Sequence, residues 1–128
     1  MKRSWSLAAM AAAAITLAAA TPAMAAGDAA AGAKAIAPCK ACHSTVANKN
    51  MIGPSLAGVY GRKAGSLASF GSRYSKQLVA SGLTWDDATL DKWLEGPSAL
   101  VKGTKMTFPG LKDATARANV IAYLKTLK

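Results

Sequence analysis

Apolar positions fall into one long run near the N-terminus and then into short clusters separated by glycine, proline and small polar residues. Val120, Leu124 and Leu127 stand at i, i+4 and i+7, which predicts a last helix beginning near Asp113. Leu90, Trp93 and Leu94 share one face of another helix, which Gly96-Pro97 ends. Its start, Thr84-Trp85-Asp86-Asp87, has capping-box spacing with an acidic side chain in place of Glu or Gln. Asp28 is a cap for a first helix over 28–37 that stops before Pro38. Gly32 inside that helix costs about 1 kcal/mol relative to Ala, which points to another backbone approaching closely. A short helix fits 74–80, ending at Gly82, while 39–67 and 98–112 read as loops with turns. No segment alternates as a strand. The expected fold class is all-α, with long loops that need something to wrap around.

The N-terminal run has a different character. Lys2 and Arg3 precede an uncharged Ala/Leu-rich stretch over 7–20, and Ala23-Met24-Ala25 follows as a small-x-small cleavage signal. This is the three-part pattern of a secretory signal peptide. The competing reading is an uncleaved membrane anchor, but the run is mostly alanine and Pro22 breaks it. The chain therefore divides into a cleavable signal over 1–25 and one domain over 26–128, with cleavage after Ala25 or Ala26 and a periplasmic destination.

Charge narrows the partners. The full chain of 128 residues carries a net +10; without Lys2 and Arg3, 14 basic residues face 6 acidic ones, a net +8. The basic residues are scattered, and no basic helix with interleaved aromatics points to nucleic acid. An acidic protein surface is the expected partner, with solubility alone as the plainer alternative.

One motif carries strong chemistry. Cys39-Lys40-Ala41-Cys42-His43 is C-x-x-C-H, the haem c attachment signature. Cysteines three apart face the same way across one helical turn, so both thiols can add to the vinyl groups of one porphyrin, and the adjacent histidine projects towards the iron. These are the chain's two cysteines and its single histidine. The competing uses are weaker. A thioredoxin-like pair needs a βαβ context, zinc wants four ligands, and a disulfide here would close too small a loop to stabilise much.

Elimination addresses the sixth iron ligand. Without a second histidine, methionine is the usual choice for such a haem. Met1, Met10 and Met24 leave with the signal, and Met51 follows His43 by only eight residues. Met106 lies 63 residues downstream of His43 in a loop bracketed by Gly103 and Gly110. A lone methionine is more often core filler, but this one alone has the reach.

With these residues in view, 28–128 resembles a class I cytochrome c of the soluble mitochondrial and bacterial type. The matching segments are Cys39 to His43, Gly53-Pro54-Ser55-Leu56, Gly61-Arg62-Lys63, Thr84-Trp85, Gly103 to Phe108, and Ile121-Ala122-Tyr123-Leu124-Lys125. The resemblance implies a small cytochrome c fold, helices and loops wrapped around one covalently bound haem. It also implies that Pro54 presents its carbonyl to the His43 ring, and that Arg62, Tyr74, Trp85 and Thr104 bind the haem propionates. Met106 would be the distal ligand, Phe108 would cover the haem edge, and Gly32 would let the first helix cross the last near Tyr123. The chain departs from the family pattern at three positions: Ile36 replaces an aromatic at the helix crossing, Leu78 a frequent asparagine, and Trp93 a common tyrosine.

A haem with both axial positions filled leaves no site for substrate, which implies a single-electron carrier and not an enzyme. The implied donors are a cytochrome bc complex or a dehydrogenase, and the acceptors a terminal oxidase or other reductase. The protein would be a monomer that meets membranes only through these complexes. Lys40, Lys102, Lys105 and Lys112 are the lysines expected near the haem edge. The rival readings are a haem enzyme or gas sensor with an open distal site, and a fixed haem subunit of a larger complex. Against the first, the sequence offers neither a distal histidine nor paired carboxylates for peroxide chemistry.

Overall fold

The structure is a computed structural model that describes residues 9–16 and 26–128. Residues 9–16 have no regular structure and are exposed. The rest of the expected signal, with its cleavage residues Ala23 to Ala25, lies outside the described residues. No described helix is long and apolar enough to cross a membrane.

Five α-helices follow among the described residues: α1 (Ala29–Ala35), α2 (Lys76–Ala80), α3 (Asp87–Glu95), α4 (Pro97–Leu100) and α5 (Ala114–Leu124). The two terminal helices form the frame. Asp28 caps α1 by accepting from the amides of Ala30 and Ala31, and Asp113 caps α5 through those of Thr115 and Ala116. Seven residues are too few for a helix to persist alone in water, so α1 depends on docking against α5. Gly32 makes the docking close: a Cβ there would run into the carbonyl oxygen of Asn119 and lie 2.8 Å from the Cβ of Tyr123. Ile36 and Val120 next to this crossing are 0% and 1% exposed, and burial of each side chain contributes about 1.5–3 kcal/mol.

The middle of the chain departs from the expected boundaries. The first helix gives way after Ala35 to a 3-10 helix over Ala37–Ala41, because Pro38 fits the first turn of a new helix but could not extend the old one. Thr84 does not cap α3. It forms an isolated antiparallel bridge with Lys63, and Asp86 takes the cap by accepting from Thr89 N at 2.8 Å. Similarly, Ser75 caps α2 through the amide of Leu78. Gly96 ends α3, but Pro97 at once begins α4, a helical turn within the segment read as loop. The core gathers Phe70, Tyr74, Leu78, Trp85, Leu90, Trp93, Leu94, Val120 and Leu124 around a central hollow.

Candidate functional site

The motif cysteines sit on and just after the 3-10 helix. The Cys39 carbonyl accepts from the amides of Cys42 and His43, at 3.1 and 2.9 Å, so one tight turn presents all three side chains together. Both thiols are free and half-buried. Burial pushes the Cys39 thiol above its ordinary pKa, with the neighbouring Cys42 adding to the effect.

His43 is oriented by the loop that follows. Its Nδ1 lies 2.7 Å from the Pro54 carbonyl oxygen. A carbonyl only accepts, so Nδ1 carries the proton and Nε2 keeps its lone pair. Gly53 packs on the ring, where any Cβ would collide with it, and its amide donates to the Cys42 carbonyl at 2.8 Å. Burial lowers the His43 pKa, with the Pro54 carbonyl opposing the shift.

These residues open onto one cavity of about 470 Å3, within the usual range of roughly 300–1,000 Å3 for cofactor sites. The cavity brings together every residue singled out for the site: Cys39, Cys42, His43 and Pro54 from the motif side, Arg62, Tyr74 and Trp85 from the middle, Thr104 and Met106 from the loop before α5. Phe108 lines it too, and of the four lysines only Lys105 does. Its walls are mostly apolar, and include all three departures from the family pattern. Trp93 meets Trp85 edge-on, with ring centroids 5.0 Å apart. Among the described residues no hydrogen bond joins Trp93 to Met106.

The polar groups have more local partners than the sequence suggests. Arg62 donates to the carbonyls of Ala57 and Ser55, at 3.3 and 3.2 Å, while its Nε is buried without a partner. Burial lowers its pKa, with Tyr74 offsetting part of the shift, yet a guanidinium stays charged throughout the ordinary pH range. The Tyr74 hydroxyl accepts from Leu67 N at 3.3 Å, and Thr104 Oγ1 accepts from Met106 N at 3.3 Å. Arg73 and Ser75 also line the cavity and carry no recognisable signal in the sequence. Arg73 lies over the Phe70 ring at 4.3 Å and donates to the Met51 carbonyl, and Lys105 Nζ donates to the Arg73 carbonyl at 3.1 Å.

Met106 is half-buried against the core, whereas Met51 is 39% exposed and does not line the cavity. An apolar hollow with two free thiols, an imidazole nitrogen with a lone pair, a thioether and an unpartnered buried guanidinium N–H suits a haem. The ring would meet apolar walls, and its carboxylates would find the cations.

A sequence profile of the Cytochrome c family matches residues 29–128. This chain belongs to the cytochrome c family. The cytochrome c2 iso-2 of Magnetospirillum fulvum is 58% identical over 89 residues, which are 70% of this chain and 91% of that protein. The cytochrome c2 of Rhodoblastus acidophilus is 48% identical over 103 residues, 80% of this chain and 94% of its own length. Among solved structures, cytochrome cH from Methylobacterium extorquens superposes with a TM-score of 0.73 at 55% identity, covering 78% of this chain and 99% of that one. As a member of the cytochrome c family, the chain is a haem c electron carrier and not an enzyme, and its Cys39–Cys42 pair fits covalent attachment of the haem.

Proposed function

We propose that this cytochrome is exported and shuttles single electrons in the periplasm, with its haem held by Cys39 and Cys42 and its iron by His43 and Met106. The donor would be a quinol-oxidising cytochrome bc complex or a dehydrogenase, and the acceptor a terminal oxidase or other reductase. The observation that carries this reading is the convergence of His43, with Nε2 free, and Met106 on one apolar cavity that Met51 does not reach.

When bound, the haem supplies a one-electron iron(III)/iron(II) couple. The chain's own residues do the rest. Pro54 holds the imidazole tautomer, as partners of ligating histidines do. The thioether of Met106 and the apolar walls favour reduced iron. Arg62 and Arg73 would face the propionates, whose buried charge needs such partners. Lys40 and Lys102 are exposed on the surface, and Lys105 and Lys112 hold the carbonyls of Arg73 and Glu95 while keeping their charge available to an acidic partner.

Reduction of the isolated holoprotein by membranes carrying a quinol-oxidising complex tests the reading. The rate should fall as salt shortens the screening length from about 30 to about 8 Å. No reduction by any such membrane, or a rate indifferent to salt, would contradict it.

A further inference from the structure

The segment that carries Met106 runs between α4 and α5, and its two ends are held very differently. Near its start, Thr104 N bonds to Val101 O at a long 3.3 Å, and the exposed Lys105 reaches across to Arg73. From Met106 to Pro109, no backbone group has a main-chain partner among the described residues. The far end is clamped. Leu111 N donates to Leu94 O at 2.7 Å, Lys112 Nζ donates to Glu95 O at 2.7 Å, and Gly110 fits so closely on the Glu95 backbone that a Cβ would not fit.

Arg117 closes this clamp from inside. It lies in the first turn of α5 and is only 7% exposed. Its Nη1 donates to the carbonyls of Leu111 and Lys112, at 3.0 and 2.9 Å, and its Nε to Asp91 at 2.8 Å. Nη2 lies 3.9 Å from the exposed carboxylate of Glu95. One guanidinium thus ties α3, α5 and the root of the Met106 segment, using the fork geometry that a lysine lacks. The two main-chain bonds orient carbonyls five and six residues beyond Met106, and removing their donor would leave two part-buried acceptors without their protein partner.

We propose that Arg117 is a positioning residue for Met106: its bonds to Leu111 and Lys112 keep the ligand segment closed, while its ion pair with Asp91 mainly joins the helices. The proposal rests on Met106 being the iron ligand. Without the two bonds the segment opens more often, with the haem still attached and the rest of the fold intact.

Imidazole titration of the ferric holoprotein tests this, following the sulfur-to-iron charge-transfer band. Imidazole replaces the thioether only in molecules whose segment has opened, so its apparent affinity scales with the open fraction. Arg117→Gln should tighten that affinity about tenfold or more, Arg117→Lys about threefold, and Asp91→Asn, which leaves both carbonyl bonds, less than threefold. Unchanged affinity in the Arg117 variants, or an equal effect from Asp91→Asn, would overturn the proposal. If Arg117→Gln does not fold, Arg117→Lys decides by the same criterion. A wild-type spectrum without the band would instead refute the ligation reading. Amide exchange then decides the clamp: Leu111 should exchange about threefold faster in Arg117→Lys, with Val120 unaffected. Equal acceleration of both amides would contradict it.

Discussion

The Pro54 carbonyl oxygen stands 2.7 Å from Nδ1 of His43, while Gly53, one residue earlier, lies against the same ring with no room for a side chain. Two adjacent residues therefore determine both the tautomer and the tilt of the imidazole. Gly53→Ala should push the ring off its acceptor at a cost of about 1–3 kcal/mol, the usual penalty for overpacking. Denaturant unfolding would read the loss, and the Nδ1–H proton resonance of the reduced protein would read the weakened bond. An alanine variant with both unchanged would show that the ring has room to spare.

Acid stability should depend on Asp86. The Thr89 amide, 2.8 Å away, holds this carboxyl below its ordinary pKa. A group with a lowered folded pKa stabilises the fold above its unfolded value, about 3.9, and loses that contribution as pH falls through the folded value. The stability gap between wild type and Asp86→Ala should thus be largest at neutral pH and narrow below about pH 4. Asp86→Asn keeps a capping oxygen without the titration, so its stability should lack this acid-linked component. Denaturant midpoints at neutral and acid pH check both; a gap that does not change with pH would mean the carboxylate charge has no part in the cap.

Much of this was legible in the sequence, and the exceptions have physical reasons. Asp28 and Asp113 cap where their position before apolar-periodic segments predicts, and the close approach expected at Gly32 is present at the α1–α5 crossing. The capping-box spacing of Thr84 misled because the Lys63 bridge claims that residue first. Gly96-Pro97 marks a stop in the sequence pattern, although a proline is equally suited to begin the next helical turn. The cavity residues could be found because C-x-x-C-H and the family segments mark them. Arg73 and Arg117 could not, since a single arginine carries no period, and only the folded backbone shows which carbonyls it meets.

Export and haem attachment can be tested together. Gly27 already packs against the backbone of Ala118, so cleavage after Ala25 or Ala26 leaves the folded domain entire. Intact mass of the exported, denatured protein should show a chain beginning at Ala26 or Gly27 with one haem attached. Retention of Met1 to Ala25 would favour an anchor, and a mass without haem would contradict the thioether attachment.

The most direct test of the central claim is the ferric spectrum and reduction potential of Met106→Ala beside Met51→Leu. If Met106 supplies the sulfur to iron, its loss should abolish the charge-transfer band, lower the potential because a soft neutral ligand favours reduced iron, and open the reduced iron to carbon monoxide with the haem still covalently bound. Met51→Leu should change none of these, since Met51 does not line the cavity. A Met106→Ala protein with the wild-type band and potential would mean that another residue binds the iron, and the account of this cytochrome as a His43–Met106 carrier would be wrong.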